Sequence, residues 1–324
     1  GALDASTTAS ENTAVGSNSL TANTTGINNT GLGYGALSAN TTANYNTSVG
    51  SHSLQDNTTG HSNTAVGYLA LADNTTANYN DAFGTETLKV NTTGSQNCAF
   101  GWQTLKANTT ANGNSGFGYA TLWVNTTGSN CSAFGNSALQ ANTTGEYNVA
   151  LGAYALLANT TAHYNVAVGS RALQANTTGT RCVGLGYQAL KANTTAVDNT
   201  AVGHNALVLN TTGAQNTALG SHALDANTTG SYNTALGKNT LTANTTADNN
   251  TAVGYVSMEA NTTGASNAGV GAYALYANTT GSNNSALGQG ALQSNTTASN
   301  STAVGKNALV LNTTGASNSA FGAT

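Results

Sequence analysis

The chain has 324 residues, of which only 6% are charged, and its formal net charge is −4. An ordinary globular chain carries about 25% charged residues. Seven Lys and Arg side chains are too few to neutralise a run of phosphates, so we expect no nucleic-acid partner. No apolar run approaches the roughly 20 residues of a transmembrane helix, so we expect no membrane span in this segment.

One repeat of 17 residues accounts for the whole sequence. The triplet Asn-Thr-Thr first occurs at Asn23 and is present eighteen times, always 17 residues apart, up to Asn312. With this Asn as position 1, position 11 is always Gly and position 10 is always Val, Leu or Phe. Position 15 is Leu in every unit except one, where Met258 replaces it. Such regular self-similarity indicates a solenoid.

The two ends of the array share the same phase. Gly1 and Thr324 both fall at position 13, inside a repeat. Solenoids usually close with atypical polar caps, and neither end departs far from the consensus. We therefore expect residues 1–324 to form a single continuous array that is cut mid-repeat at both ends and belongs to a longer fibre.

The residue types favour strands over helices. Asn, Thr and Gly form helices poorly, and large apolar residues recur in every unit only at positions 10 and 15. Positions 7–10 and 12–16, such as residues 63–66 and 68–72, are two short runs separated by Gly and by the Asn-Thr-Thr turn. The pattern predicts an all-β, parallel β-solenoid or β-roll of about 19 coils, with 17 residues and two short strands per coil.

This interpretation assigns a place to each position of the repeat. Positions 10 and 15 are expected to fill the interior, with Phe83, Phe100, Phe117 and Phe134 stacked over four coils. The Gly at position 11 indicates a positive φ or an inside corner without room for Cβ. Positions 5, 6, 12, 13 and 16 vary and should face solvent, and the Ala-rich positions 9, 14 and 17 are candidates for contact between chains.

The segment Asn63-Thr-Ala-Val-Gly-Tyr-Leu-Ala-Leu71 and its copies at 199–207 and 216–224 carry a resemblance to a known family. They resemble the S-V-A-I-G-x-x-A core of the head repeats of trimeric autotransporter adhesins. Similar arrays with the N-T-T-G turn occur in phage and bacterial fibre proteins. The resemblance implies a left-handed parallel β-roll on a cell or virion surface, wound as a homotrimer, although the 17-residue unit is longer than that of the adhesin heads.

The Asn-Thr-Thr turn also matches the sequon for N-glycosylation. One interpretation is a column of glycans that coats the fibre, attached to Asn or Thr. The other is a ladder of Asn side chains that hydrogen-bond from coil to coil. The candidate glycosylation sites are Asn23, Asn40, Asn57, Asn74, Asn91, Asn108, Asn125, Asn142, Asn159, Asn176, Asn193, Asn210, Asn227, Asn244, Asn261, Asn278, Asn295 and Asn312.

Aromatic residues recur at two of the positions expected to be exposed. Exposed aromatic rows either bind sugars or a neighbouring chain, or pair across the rungs of a sheet. Position 12 provides the candidate surface contacts Tyr34, Tyr68, Trp102, Tyr119, Tyr187 and Tyr255. Position 6 adds Tyr45, Tyr79, Tyr147, Tyr164 and Tyr232.

No group of residues stands out from the repeat as a catalytic or metal site. The three Cys lie too many coils apart for a disulfide within the chain, and the five His are scattered over positions 5, 12 and 13. Asp56 and Asp73 share position 17 on neighbouring coils, without the aspartate-rich pattern of a calcium repeat. We therefore expect no catalytic residue, no metal and no cofactor apart from covalent glycans, and no enzyme activity.

Three functions are compatible with such an array. The first is a structural extracellular fibre, in which chains self-associate along or across the fibre. The second is an adhesin or phage receptor-binding fibre that recognises host carbohydrate through the aromatic columns. The third, an ice-binding solenoid, is disfavoured because adjacent Thr at positions 2 and 3 would point to opposite faces of a strand.

Overall fold

The computed structural model describes residues 1–323 and is all-β, a parallel β-solenoid with one strand of three residues in each coil. It divides into two compact units, Gly1–His163 and residues 164–323. Thr324, which the repeat places at position 13, lies outside the described residues. The described part of the chain has no helix long and apolar enough to cross a membrane.

Each strand covers positions 8 to 10 of the repeat. The first unit contains β1 (Thr13–Val15), β2 (Thr30–Leu32), β3 (Thr47–Val49), β4 (Thr64–Val66), β5 (Asp81–Phe83), β6 (Cys98–Phe100), β7 (Ser115–Phe117), β8 (Ser132–Phe134) and β9 (Val149–Leu151). The second contains β10 (Val166–Val168), β11 (Val183–Leu185), β12 (Thr200–Val202), β13 (Thr217–Leu219), β14 (Thr234–Leu236), β15 (Thr251–Val253), β16 (Ala268–Val270), β17 (Ser285–Leu287), β18 (Thr302–Val304) and β19 (Ser319–Phe321).

Within each unit, every strand pairs in parallel with the strand of the next coil. The register joins like positions, so that Thr200 lies beside Thr217 and Val202 beside Leu219. Backbone bonds flank the strands in the same pattern: the Thr200 N–H donates to the Asn216 carbonyl at 2.8 Å. Stacking therefore turns each position of the repeat into a column of equivalent residues along the solenoid axis.

The interior contains the Leu of position 15, small residues and Asn. Leu71, Leu139 and Leu207 are completely buried, and Met258 is buried in the same column. The interior position of this column is confirmed. Its neighbour across the coil is position 9, which is Ala, Gly or Ser: a Cβ on Gly184 would lie 3.4 Å from Cγ of Leu173. The coil is so thin that one Leu fills it.

Position 10 lies outside, contrary to the sequence prediction. Side chains alternate along a strand, so when position 9 points inward, positions 8 and 10 must point outward. Leu32 is 44% exposed and Leu219 50% exposed, whereas Ala65 and Ala201 are completely buried. The prediction that positions 9 and 14 mediate contacts between chains is wrong for the same reason, because Ala65 and Ala70 lie in the interior.

The second strand predicted at positions 12–16 is absent from the described coils. In residues 68–72, Leu69 has φ of 55° and Leu71 has φ of 51°, so the backbone turns instead of extending. Throughout the chain, residues at position 15 have φ between 47° and 56°. This left-handed conformation is uncommon for Leu. The turn nevertheless bonds to its neighbours, since the Leu54 N–H donates to the Ala70 carbonyl at 2.9 Å.

The Gly at position 11 has both properties that the sequence predicted. Its φ lies between 120° and 142° in every coil. At Gly203, an added Cβ would lie 2.6 Å from the carbonyl oxygen of Gly220 in the next coil. Any side chain would therefore push neighbouring coils apart, which explains why only Gly occurs at this position.

Candidate functional surfaces

The Asn side chains at position 1 form a hydrogen-bonded ladder inside the coil. Asn57 Nδ2 donates to Oδ1 of Asn40 at 3.1 Å and to the Gly60 carbonyl of its own turn at 2.9 Å. Asn74 Nδ2 donates in turn to Oδ1 of Asn57 at 2.8 Å. Asn57 thus uses both amide hydrogens and, with Asn74, links its coil to the coils on either side.

This burial removes the candidate N-glycosylation sites from solvent. An N-linked sugar bonds to Nδ2, so it would replace one donor of the ladder and would have to occupy the filled interior. Asn312 is partly buried, and its Nδ2 also donates to Oδ1 of Asn295, at 3.2 Å. The completely buried members are Asn23, Asn40, Asn57, Asn74, Asn91, Asn108, Asn125, Asn142, Asn159, Asn176, Asn193, Asn210, Asn227, Asn244, Asn261, Asn278 and Asn295.

A second column of Asn, at position 7, bonds to the backbone on both sides. Asn29 Nδ2 donates to the Ala43 carbonyl at 2.8 Å, and Asn29 Oδ1 accepts the Asn46 N–H at 3.0 Å. Two Cys replace Asn in this column. The Sγ atoms of Cys131 and Cys182 each lie 3.3 Å from a position-4 carbonyl of the next coil. Their burial raises the pKa of both thiols to about 11.

The two Thr of the turn differ in environment. The hydroxyl at position 2 bonds to the backbone of the next coil, as Thr58 Oγ1 donates to the Thr75 carbonyl at 3.0 Å. The Thr at position 3, such as Thr59 or Thr76, is exposed. The outward hydroxyls of the turn are therefore those of position 3.

The predicted aromatic positions are exposed. Tyr34, Tyr68, Trp102, Tyr119, Tyr187 and Tyr255 are 43–52% exposed, and Tyr45, Tyr79, Tyr147, Tyr164 and Tyr232 are 47–59% exposed. Among the six position-12 candidates, Trp102 and Tyr119 come together and stack with ring centroids 4.8 Å apart and planes 10° apart. Tyr34 and Tyr187 instead pair with His52 and His204.

A cavity beside this stacked pair contains a residue that the sequence analysis did not single out. The volume is about 180 Å³. Its lining consists of Trp102, Gln103, Tyr119, Ala120, Trp123 and Gln140. Trp102 is at position 12 and Trp123 at position 16 of the next coil, so their 21-residue separation was the available signal. Both Trp of the chain thus line one cavity.

The outward side chains of position 10 form a continuous apolar surface in each unit, which we call the apolar ridge. Phe83, Phe100, Phe117 and Phe134 stack on it with centroids 4.4–4.9 Å apart and planes within 7°. The predicted aromatic stack is thus confirmed, but it lies on the outer face of the strands. The ridge comprises Val15, Leu32, Val49, Val66, Phe83, Phe100, Phe117, Phe134 and Leu151 in the first unit, and Val168, Leu185, Val202, Leu219, Leu236, Val253, Val270, Leu287, Val304 and Phe321 in the second.

Charged side chains form small local groups. Glu86 accepts hydrogen bonds from Lys106 at 2.8 Å and from Lys89 at 3.1 Å, and these bonds lower the pKa of Glu86 to about 2. Burial and the nearby Asp56 charge raise the pKa of Asp73. Among residues 1–323, no three His, Cys, Asp or Glu side chains converge as metal ligands.

Two of the His rings lie near each other, and the three Cys are unpaired. The rings of His204 and His222 lie 5.2 Å apart and are tilted by 59°. The thiols of Cys98, Cys131 and Cys182 are all free. Comparison with known proteins found no matching family model and no matching curated protein.

Proposed function

We propose that the chain is a structural module of an extracellular fibre. The observation that carries this proposal is the same set of coil-to-coil bonds in coil after coil. Backbone bonds, the Asn ladder of position 1 and the Asn column of position 7 all run parallel to the solenoid axis. Tension along that axis loads many bonds at once, which suits a load-bearing or protective filament.

The repeat also contains no inserted loop. Binding sites on solenoids commonly come with insertions in individual repeats, which form loops on one face. Here all nineteen units keep the 17-residue length. Uniform length is what a fibre of constant cross-section requires, and a non-catalytic role follows from the same uniformity.

Electron microscopy and fibre diffraction of the native assembly test this proposal. We expect filaments of constant width with a meridional reflection near 4.8 Å, the spacing of stacked strands. Isolation of the native protein only as globular particles would refute the structural role.

An adhesin is the second candidate, and the cavity between Trp102 and Trp123 favours it. A sugar ring has apolar C–H faces and a rim of hydroxyls. The aromatic side chains of the cavity can contact the C–H faces of the sugar, while the Gln140 amide can hydrogen-bond to its hydroxyls. Binding to a glycan array that disappears in Trp123→Ala but persists in Tyr232→Ala, a change at an exposed Tyr of position 6, would support this function. Absence of binding by the native fibre would refute it.

Any coat of glycans is assigned to Thr at position 3, because those hydroxyls are exposed and the Asn of position 1 are buried. We expect digestion with an N-glycosidase in H2¹⁸O to leave the eighteen Asn unlabelled. Conversion of these Asn to labelled Asp would show that sugars were attached before the coils folded. Intact-peptide mass spectrometry of the same material locates any sugar on Thr.

A further inference from the structure

The apolar ridge is constrained more tightly than the fold itself requires. The interior is filled by positions 9 and 15, so the coil does not need an apolar residue at position 10. All nineteen residues there are nevertheless Val, Leu or Phe. Position 8 on the same outer face admits Thr, Ser, Asp, Cys, Val and Ala. The requirement for apolar side chains at position 10 therefore comes from something outside the coil.

The exposed area of the ridge is large for a solvent-facing surface. Leu219 and Leu287 are 50% and 52% exposed, and Leu151 is 37% exposed. Twelve of the nineteen ridge residues are only partly exposed. With side chains of about 150 Å², of which about a third is exposed on average, the nine or ten ridge residues of one unit expose on the order of 500 Å². That is as large as the largest apolar patch on a typical monomer. It is also more than half of the roughly 800 Å² that each partner buries in a stable complex.

The architecture also leaves one face of a parallel sheet uncovered. Parallel sheets are nearly always covered on both faces. Here the inner face is covered by the position-15 Leu of the same chain, whereas the ridge on the outer face is in contact with solvent. A covering layer would complete the arrangement usual for such sheets.

We propose that the ridge is a self-association surface, covered by the ridge of a second copy of this chain that lies parallel and in register. This inference rests on the proposed structural role and names the contact through which chains associate. A second copy has the same 17-residue coil, and therefore the same axial rise, so ridge side chains match in every coil. A partner with any other repeat would match only locally.

The charge and shape of the ridge agree with a second copy of the chain as its partner. No ridge residue is charged, and Asp81 is the single charged residue in the flanking column at position 8. Face-to-face packing of two such surfaces therefore brings few like charges together. In the parallel, in-register arrangement, the flat stack from Phe83 to Phe134 faces the same stack in the second copy.

A matched pair of triple variants tests the surface. The ridge variant carries Val66→Asp, Val202→Asp and Leu236→Asp, and the control carries Thr64→Asp, Thr200→Asp and Thr234→Asp in the same strands. Both sets point outward, and Asp81 shows that position 8 accepts this residue. By analytical ultracentrifugation, we expect wild type and control to sediment as oligomers and the ridge variant as a monomer, with unchanged circular dichroism.

Two outcomes would overturn the proposal that the ridge is a self-association surface. One is a wild type that is monomeric at all concentrations, and the other is a ridge variant that assembles like the control. A ridge variant that fails to fold is replaced by the single change Val202→Asp, judged by the same criteria. Filaments of single-chain width would refute the ridge contact and leave the structural role intact. Globular wild-type particles would instead refute the structural role.

The native Cys98 tests the register without any mutation. Its side chain lies on the outer face, at position 8, beside the ridge residue Phe100, whereas Cys131 and Cys182 are buried. In this arrangement the two Cys98 side chains lie at the same axial height on opposite sides of the paired ridges, so a bis-maleimide long enough to span the ridges should join Cys98 to Cys98 of the second copy. A wild-type oligomer without this cross-link would overturn the parallel, in-register arrangement.

Discussion

At the scale of single residues, Asn provides the main side-chain hydrogen bonds that join neighbouring coils. A carboxamide has donors and an acceptor, so one buried side chain can bond to its own turn and to the next coil. Asn57 does both, at 2.9 Å within its turn and 2.8 Å with Asn74. Burial without such partners would be costly, and the column supplies them in every coil.

Removal of one ladder member should be clearly destabilising. We expect Asn74→Ala to lower the free energy of unfolding by about 1–3 kcal/mol, because the buried Oδ1 of Asn57 and the Ala77 carbonyl each lose a donor. The control Thr76→Ala, at the exposed position 3 of the same turn, should change it by less than about 0.5 kcal/mol. Urea unfolding of both variants measures the difference, and equal effects would contradict a structural role for the ladder.

The three thiols should react at different rates. Cys131 and Cys182 are buried, and burial raises the pKa of each to about 11, so little thiolate exists at pH 8.5. Cys98 is only partly buried. We expect iodoacetamide at pH 8.5 to label Cys98 first and the other two only in denaturant, as read by peptide mass spectrometry. Equal labelling of all three in the native protein would contradict the buried position 7.

At the scale of the coil, the sequence predicts the columns but not the direction of every side chain. Gly at position 11 and Leu at position 15 were assigned correctly because their invariance has one simple physical cause each. The sequence predicts an interior place for position 10 because apolar residues usually lie inside. The narrow interior that excludes it depends on the left-handed backbone of Leu at position 15, and single-sequence patterns give no sign of that conformation.

The candidate surfaces, too, could be predicted from the sequence only in part. The exposed Tyr and Trp at positions 6 and 12 were predicted, because variable positions of a repeat face solvent. Burial of the Asn at position 1 was one of two interpretations of the same triplet, and hydrogen-bond geometry decides between them. The cavity of Trp102 and Trp123 depends on which positions of adjacent coils face each other, and this requires the coil geometry.

One coil-to-coil ion group gives a pH dependence with a definite sign. Hydrogen bonds from Lys106 and Lys89 lower the pKa of Glu86 to about 2 in the folded state, against an ordinary value of 4.5. Its stabilising contribution is therefore complete above about pH 5 and is lost as the pH falls towards 2. We expect Glu86→Gln to lower the unfolding free energy by up to about 1 kcal/mol at pH 7, and the difference to vanish near pH 2.

Thermal unfolding of wild type and Glu86→Gln between pH 2 and pH 7 measures this dependence. The control Glu259→Gln removes a carboxylate that lies outside the Glu86, Lys89 and Lys106 ion group and should leave the profile unchanged. Parallel profiles for wild type and Glu86→Gln would contradict the assigned pairing.

At the scale of the whole molecule, the interactions that recur are those between equivalent positions of successive coils. Residue 200 pairs with 217, and 217 with 234, so each coil needs neighbours of the same length rather than of a particular identity. The low apolar content of the chain follows from this arrangement, because the interior takes one Leu per coil.

Deletions should therefore be tolerated in steps of 17. Removal of residues 199–215 eliminates β12 and joins position 6 to position 7 again, so every remaining column is restored. We expect this variant to keep its β circular dichroism and to melt within a few degrees of wild type. Removal of residues 199–214 leaves an extra residue in one coil, which exchanges inward-facing and outward-facing side chains in part of that coil. Its melting temperature should fall markedly, and equal stability of the two deletions would contradict the columnar register.

The hydrogen bonds that join each coil to its neighbours on both sides should also slow digestion of the protein by proteases. A protease grips its substrate as an extended strand through free main-chain N–H and C=O groups. In an internal coil these groups are engaged: the Leu190 N–H donates to Ala206, and the Ala192 N–H donates to Val208. Lys191, which lies between these two residues, matches the sequence specificity of trypsin, but the backbone around it is not free to bind the protease. Cleavage there must wait until a coil opens, so digestion should be governed by the rarity of that opening.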